Sequence, residues 1–257
     1  MSREFINTRS LTNNEKSMKK ISIPKIICGE VIESSPAGMH EIEYSNGVCV
    51  CIPKLIDDDL EKIYKNRSQM HHLPLSDITR YLQKSGQALA NAQDPFRERA
   101  AELGSLVTGL SPPMIHRDFK TISSYLKHRN VIYDLLDAEL GDHAMMDEWV
   151  RNQVARVRAF PRGRALHVLV GNVPIAGLYS IMRSIITKNH TLVKLPSRDL
   201  ITSLYFCLSL LNENESTHPV SKSLSAFYCE RNSGKMTELI KTSDLVCAWG
   251  GGSAIES

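Results

Sequence analysis

The sequence lacks both a strong excess of charge and a long apolar run. Its 257 residues carry 31 Lys and Arg against 28 Asp and Glu, a formal net charge of +3. So small an excess, with no basic stripe and interleaved aromatics, argues against nucleic acid as a partner. No apolar stretch reaches the roughly 18 to 20 residues that cross a bilayer. We therefore expect a globular protein with no membrane span.

Two further classes are disfavoured by the polar start and the scattered cysteines. Residues 1–20 contain no apolar segment of the kind that secretory signals carry. Of the six cysteines only Cys49 and Cys51 are close, and strand alternation puts both on one face. A metal pair there is one alternative, but no second pair or histidine stands at ligand spacing. We expect no metal site and buried thiols in a reducing cytoplasm.

The residue pattern changes twice along the chain. Residues 1–17 are rich in Asn, Ser, Lys and Glu, which predicts a disordered extension. Residues 18–152 start with short β-like segments, with a hairpin turn at Asn46-Gly47, and continue with helices. The last of these is predicted as one long helix after Pro112-Pro113. Residues 153–257 form the predicted nucleotide-binding α/β part.

That last part alternates near-continuous apolar strands, such as "ALHVLVG" and "HTLVKLP", with segments of helical length. Strands of this kind, joined by helices, predict a parallel sheet covered on both faces. The fold class is therefore α/β, with an N-terminal β segment and helical region followed by a Rossmann-like parallel sheet. Trp149, in the connector before it, is expected to anchor to the core. Ligands of such sheets bind at the carboxyl ends of the strands.

Three strand ends carry the candidate chemistry. In "VGNVP", Asn172 stands before Pro174 at a predicted helix start. Its side chain can cap that helix or donate a hydrogen bond to a reacting carbonyl, and the spacing alone favours the cap. In "VKLPSRD", Lys194 needs an anion or water, because an unpaired buried ammonium is costly. Ser197 and Asp199 can cap the next helix, or Lys194 and Ser197 can hold a ribose or phosphate.

The third strand end is "CAWGGGSAIES", in which Gly250, Gly251 and Gly252 follow an apolar strand. Glycines there let backbone N–H groups approach an anion closely. Taken alone, a glycine turn after a strand is a weak signal, and it is neither the G-x-G-x-x-G fingerprint nor a P-loop.

The order of the three ends, Asn-x-Pro, Lys-x-Pro-Ser and a glycine turn, resembles the aldehyde dehydrogenase superfamily. Longer segments resemble one branch of it, the LuxC-type acyl-CoA reductases. They cover residues 18–257: "KKISIPKIICGEVIE", "MDEW", "RAFPRGRALHVLVGNVPIAG", "SIMRSIITKNHTLVK", "HPVSKSLSAFYCE" and "DLVCAWGG". The resemblance implies oxyanion support by Asn172, ribose binding by Lys194 and a pyrophosphate at Gly250 and Gly251.

Two departures from the family pattern matter. The superfamily's ribose-binding Glu is replaced by Ser197, with Arg198 next, which favours NADPH because a carboxylate would repel a 2′-phosphate. Which of Lys194, Ser197 and Arg198 makes that contact is left open. None of the six cysteines aligns with the family's nucleophile, so we expect an N-terminal fragment, inactive by itself, whose catalytic domain lies beyond residue 257.

For the complete enzyme the resemblance implies reduction of a long-chain acyl thioester to the aldehyde that luciferase uses. Its implied partners are the acyl-protein synthetase and acyl-transferase subunits of a fatty acid reductase complex, and further copies of itself in a homo-oligomer. The alternatives are an acyl-CoA or semialdehyde reductase of ordinary metabolism, and a non-catalytic nucleotide-binding module.

Overall fold

The structure is a computed structural model that describes residues 7–10, 19–66, 70–91 and 93–250, with the backbone alone for 7–10. The strands are β1 Asn7–Ser10, β2 Lys19–Ser22, β3 Lys25–Ile27, β4 Glu30–Ile32, β5 Met39–Glu43, β6 Val48–Pro53, β7 Val150–Arg151, β8 Arg156–Val157, β9 Arg164–Val168, β10 His190–Lys194, β11 Leu224–Phe227 and β12 Leu245–Ala248. The helices are α1 Asp57–Lys65, α2 Leu75–Ala90, α3 Pro95–Thr108, α4 Pro112–Leu126, α5 Arg129–Leu140, α6 Pro174–Ile186, α7 Thr202–Asn212, α8 Pro219–Lys222 and α9 Gly234–Thr242. Short 3-10 turns lie at Met70–His72 and His143–Met146.

A six-stranded sheet, ordered β12-β9-β10-β11-β3-β4, organises the molecule. Its first four strands are parallel, which confirms the predicted α/β class with a parallel sheet. Strands β3 and β4 come from the N-terminal β segment and join antiparallel at the far edge. A second sheet, β1-β2-β6-β5, joins strands of the same segment to β1, which falls within residues 1–17, the predicted disordered extension, and pairs antiparallel with β2. The Asn46-Gly47 turn is confirmed between β5 and β6, with Gly47 at φ +77°.

The prediction of one long helix after Pro112-Pro113 is wrong, because the structure has two helices there, α4 and α5. The backbone of His128 is extended, at φ −120° and ψ 106°, and the chain turns there. Helix α2 passes so close that a Cβ at Gly86 would lie 2.7 Å from the Leu126 Cβ. No proline or glycine marks the break in the sequence. The predicted stop at Gly141 is confirmed, with φ +97°.

Trp149 is not anchored in the core, contrary to the prediction, since 57% of its surface is exposed. It lies beside the hairpin of β7 and β8, which forms a separate two-stranded sheet in the described part of the chain and does not join the parallel sheet there. The connector is held by Asp147 instead. Its carboxylate accepts the N–H of Leu75 at the start of α2 and lies 2.5 Å from the Lys188 ammonium.

One core joins the helical region to the sheet. Helix α7, between β10 and β11, is buried along nearly its whole length. The centre of its Tyr205 ring lies 4.6 Å from the centre of the Phe96 ring, on α3, and 4.8 Å from the centre of the Phe119 ring, on α4. Residues on both sides of position 153 therefore share one hydrophobic cluster. Among the described residues, no helix has the length and apolar character needed to cross a membrane.

A buried ion pair ties β3 to the first helix. The ammonium of Lys25, 1% exposed, bonds the carboxylate of Asp59 and the Lys54 carbonyl oxygen, the latter at 2.8 Å. The same carboxylate accepts the N–H of Ile56, at the start of α1. Each charge has lost its water, so each depends on the other for compensation.

Replacing Lys25 by Met should lower the free energy of unfolding by about 3–5 kcal/mol, because Asp59 is left buried and unpaired. Urea denaturation measures the change. The matched control is Lys62→Met, whose exposed partner is Glu30, with an expected effect below about 1 kcal/mol. Equal effects of the two substitutions would contradict the structural role of the buried pair.

Candidate functional site

The parallel register brings three strand ends level at one edge of the sheet. Val168, the last residue of β9, lies opposite Lys194 at the end of β10. On its other side Val168 lies opposite Ala248 at the end of β12. The loops after the three strands, which hold the candidate residues, therefore start side by side.

These loops line a cleft of about 330 Å³. It brings together the sequence-predicted residues Asn172, Lys194, Ser197, Arg198 and Gly250. The predicted Gly251 and Gly252 lie outside the described residues. The volume is within the range of small-molecule sites, roughly 300–1,000 Å³. The strand-end reasoning thus selected residues that share one concave surface.

Asn172 does not cap a helix, so the interpretation that spacing alone favoured is wrong. The cap position of α6 is Val173, which makes no side-chain bond to the helix, and Pro174 follows in the first turn. Proline has no N–H to satisfy, so this helix start has one donor fewer to cap. The Asn172 amide is exposed at the cleft and makes no hydrogen bond with the described residues, which leaves it available to a ligand.

Lys194 is half-buried and has no carboxylate partner among the residues described. Its ammonium lies 5.4 Å from the centre of the Tyr228 ring. Burial lowers the pKa of Lys194, and the nearby Arg231 lowers it further. An anion in the cleft would supply the compensation that the described residues do not provide.

The second loop is held close to the first by Gly171. A Cβ at this position would lie 2.6 Å from the Arg198 Cβ and 2.9 Å from the Asp199 nitrogen, so only glycine permits the contact. From the other side, the Tyr44 hydroxyl donates to the Ser197 carbonyl oxygen at 2.6 Å. The Ser197 and Arg198 side chains remain exposed at the rim.

Asp199 fixes the start of α7, as one of the sequence interpretations proposed. Its Oδ1 accepts the N–H groups of Ile201 at 3.3 Å and Thr202 at 2.9 Å. The other oxygen, Oδ2, is buried with no hydrogen-bond partner. Burial raises the pKa of Asp199 to about 6. Ser197, the other candidate cap, is exposed and makes no such bond.

Arg231 and Met236 are cleft residues that the sequence analysis missed. Arg231 follows β11, a fourth strand end at the same edge, so the strand-end rule could have found it. Met236, on α9, supplies an apolar wall and gave no signal of its own. With Lys194 and Arg198, Arg231 makes three cations in the lining. No carboxylate lines the described part of the cleft.

Comparison with known proteins decides the family. The model of the family described as acyl-CoA reductase (LuxC) matches residues 70–257, more than half of the chain. The chain belongs to the LuxC acyl-CoA reductase family. The resemblance found in the sequence is thereby confirmed.

Two relatives of this LuxC-family chain are long-chain acyl-protein thioester reductases. That of Photobacterium phosphoreum is 33% identical over 238 residues, which cover 91% of the chain and 48% of the relative. That of Photorhabdus luminescens is 33% identical over 241 residues, which cover 92% and 49%. The chain thus spans about half the length of the curated relatives that it matches.

Solved structures confirm the aldehyde dehydrogenase-like fold. A mutant aldehyde dehydrogenase from Bacillus cereus superposes with a TM-score of 0.67 at 12% identity, covering 94% of this chain and 49% of that one. NADP-dependent glyceraldehyde-3-phosphate dehydrogenase from Bacillus halodurans, complexed with NADP, gives 0.65 at 14% identity, covering 87% and 47%. At such low identity the likeness establishes the fold alone.

Replacing Gly171 by Ala should destabilise the LuxC-family chain by roughly 1–3 kcal/mol, because the new methyl group overlaps the backbone of the Arg198 loop. Thermal and urea unfolding measure the loss. The control is Gly234→Ala at the start of α9. A Cβ at that position would meet no non-neighbouring atom within 4 Å, so alanine should be neutral or slightly stabilising. A neutral Gly171→Ala would show that the loops do not need this approach.

The raised pKa of Asp199 predicts a pH dependence of stability. Its folded pKa of about 6 lies above the unfolded value of roughly 3.9, so the folded state holds the proton more tightly. The resulting stability is complete below about pH 4 and is lost as the pH rises through 6. Asp199→Asn keeps the Oδ1 acceptor but cannot ionise.

The wild type should therefore lose on the order of 2 kcal/mol relative to Asp199→Asn between pH 4 and pH 7. Urea denaturation at both pH values measures the difference, with exposed Asp58→Asn as the control. Parallel pH profiles for the wild type and Asp199→Asn would contradict the assignment.

Proposed function

We propose that this chain forms the nicotinamide-cofactor site of an NADPH-dependent reductase of long-chain fatty acyl thioesters. The observation that carries the cofactor choice is the set of three cations, Lys194, Arg198 and Arg231, in a cleft whose described lining has no carboxylate. A 2′-phosphate adds negative charge, which such a lining favours and a carboxylate would oppose. Ser197, where the superfamily has Glu, supports the same choice.

The residues fit a phosphorylated nucleotide in two further respects. The Gly171 contact closes the cleft wall without a side chain, and Gly250 begins the loop where backbone N–H groups can face a pyrophosphate. Tyr44 holds the Ser197 carbonyl, which fixes the loop that carries Ser197 and Arg198. We assign the cofactor contacts to Lys194, Ser197, Arg198 and Arg231, and to the glycines 250–252.

Asn172 is the residue that we assign to the chemistry of the acyl group. Its amide does not cap α6 and is exposed in the cleft that the strand-end loops line. It can therefore donate a hydrogen bond to a carbonyl oxygen on which negative charge develops. A donor of this kind contributes about 3 kcal/mol to the transition state. A bound nicotinamide cofactor would supply the hydride, and the half-buried Lys194 would hold its nucleotide end in place.

We propose that the nucleophile is a cysteine outside these 257 residues, which makes the chain by itself inactive. No cysteine lines the described part of the cleft, and burial raises the pKa of Cys229, a thiol that interacts electrostatically with Lys194, to about 11. A neutral, buried thiol is a poor nucleophile.

The proposed setting follows the relatives. The product would be the fatty aldehyde that luciferase uses, in a cytoplasmic, homo-oligomeric enzyme. It would work with acyl-protein synthetase and acyl-transferase subunits. The relatives named long-chain acyl-protein thioester reductases support the substrate class.

Titration of NADPH and NADH onto the purified chain tests the cofactor assignment. Saturable binding is expected, tighter for NADPH. Lys194→Ala should weaken the binding of both cofactors about tenfold, which equals about 1.4 kcal/mol. Arg198→Ala should weaken the binding of NADPH by a similar factor and leave the binding of NADH nearly unchanged, because Arg198 adjoins Ser197 at the proposed ribose contact and only NADPH carries the 2′-phosphate.

The matched control is Lys235→Ala, a cation on α9 that pairs with Asp57 and does not line the cleft. Its affinities should equal those of the wild type. Absence of binding of either cofactor, or equal losses in all three variants, would count against the proposal.

A further inference from the structure

Strand β6 presents its two cysteines on the face opposite the core. Val48, Val50 and Ile52 point into the main hydrophobic cluster, whereas Cys49 and Cys51 alternate with them and belong to neither core cluster. Both thiols are nevertheless covered, at 0% and 9% exposure. Something on the outer face of the sheet therefore lies over them.

The neighbouring strand contributes a carboxylate to this face. In the antiparallel register of β5 and β6, Glu41 lies directly opposite Cys51. The two sulfur atoms and a carboxylate oxygen of Glu41 all lie within 4.8 Å of one another. Cross-strand pairing thus supplies the third ligand that the spacing of the cysteines in the sequence did not reveal.

An ion pair lies on the same face of the sheet as the two thiols. Lys20, opposite Cys49 in the parallel register of β2 and β6, reaches across the strand to Glu41. Its ammonium lies 3.1 Å from both carboxylate oxygens. The Lys20 and Glu41 side chains are 37% and 51% exposed, so separating them leaves both charges in water. An exposed pair of this kind contributes little stability, about 0–1 kcal/mol, and is readily displaced.

We propose that Cys49, Cys51 and Glu41 form a binding site for a thiophilic divalent cation of the zinc type. Two sulfurs around a tetrahedral ion, with metal–sulfur bonds of about 2.3 Å, stand roughly 3.8 Å apart, a spacing that this cluster can reach. The fourth position is left for water. On binding, each thiol releases one proton, the carboxylate turns from Lys20 to the cation, and no electron is transferred.

Metal titration of the full 257-residue chain tests this site. Cd²⁺ is the probe, since its bonds to thiolates are followed by ultraviolet charge-transfer absorption. One Cd²⁺ per chain is expected at this site. Cys49→Ser and Cys51→Ser should each weaken that binding at least tenfold, and Glu41→Gln several-fold. Lys20→Met removes the competing ammonium and should strengthen it several-fold.

The matched control is Cys247→Ser, which removes a half-buried thiol on β12 in the six-stranded sheet. This variant should bind Cd²⁺ as the wild type does. Unchanged affinity in both Glu41→Gln and Lys20→Met would overturn the site, as would an equal loss in Cys247→Ser. The Glu41 and Lys20 variants alter exposed side chains, so they decide the question even where a cysteine variant fails to fold.

Discussion

The register of β9 between β10 and β12 is the constraint on which the candidate site depends. Because Val168 is level with both Lys194 and Ala248, the three loops that follow begin at one edge. A shift of one residue in either pairing would move a loop by about 3.3 Å and reverse the face on which its side chains lie. Hydrogen bonds beyond the strands, such as Trp249 N–H to the Val168 carbonyl at 3.1 Å, extend the alignment into the loops.

Around that edge, the site combines close packing with positive charge. Gly171 lets two loops touch, while Asp199 and Tyr44 fix the backbone on either side of Arg198. Lys194 and its neighbouring cations have no acidic residue in the described lining of the cleft. The half-buried ammonium of Lys194, which has no carboxylate partner among the described residues, suits an anionic ligand, and this is the physical basis of the NADPH proposal.

The N-terminal segment is more than an attachment to this sheet. It completes one edge of the sheet through β3 and β4, anchors α1 by the Lys25 ion pair, and contributes Tyr44, whose hydroxyl bonds the Ser197 carbonyl. It also carries the cluster of Cys49, Cys51 and Glu41. The cleft residues are brought together by strand ends, whereas this cluster is brought together by cross-strand neighbours.

Apolar strands, helix spacing and strand-end residues sufficed to predict the parallel sheet and to place Asn172, Lys194, Ser197, Arg198 and Gly250 at one site. These features are local or follow from the topology of parallel sheets. The break between α4 and α5, the exposure of Trp149, the failure of Asn172 to cap a helix and the meeting of Glu41 with two thiols could not be predicted. Each depends on contacts between residues distant in sequence, and only the tertiary structure determines which of those are made.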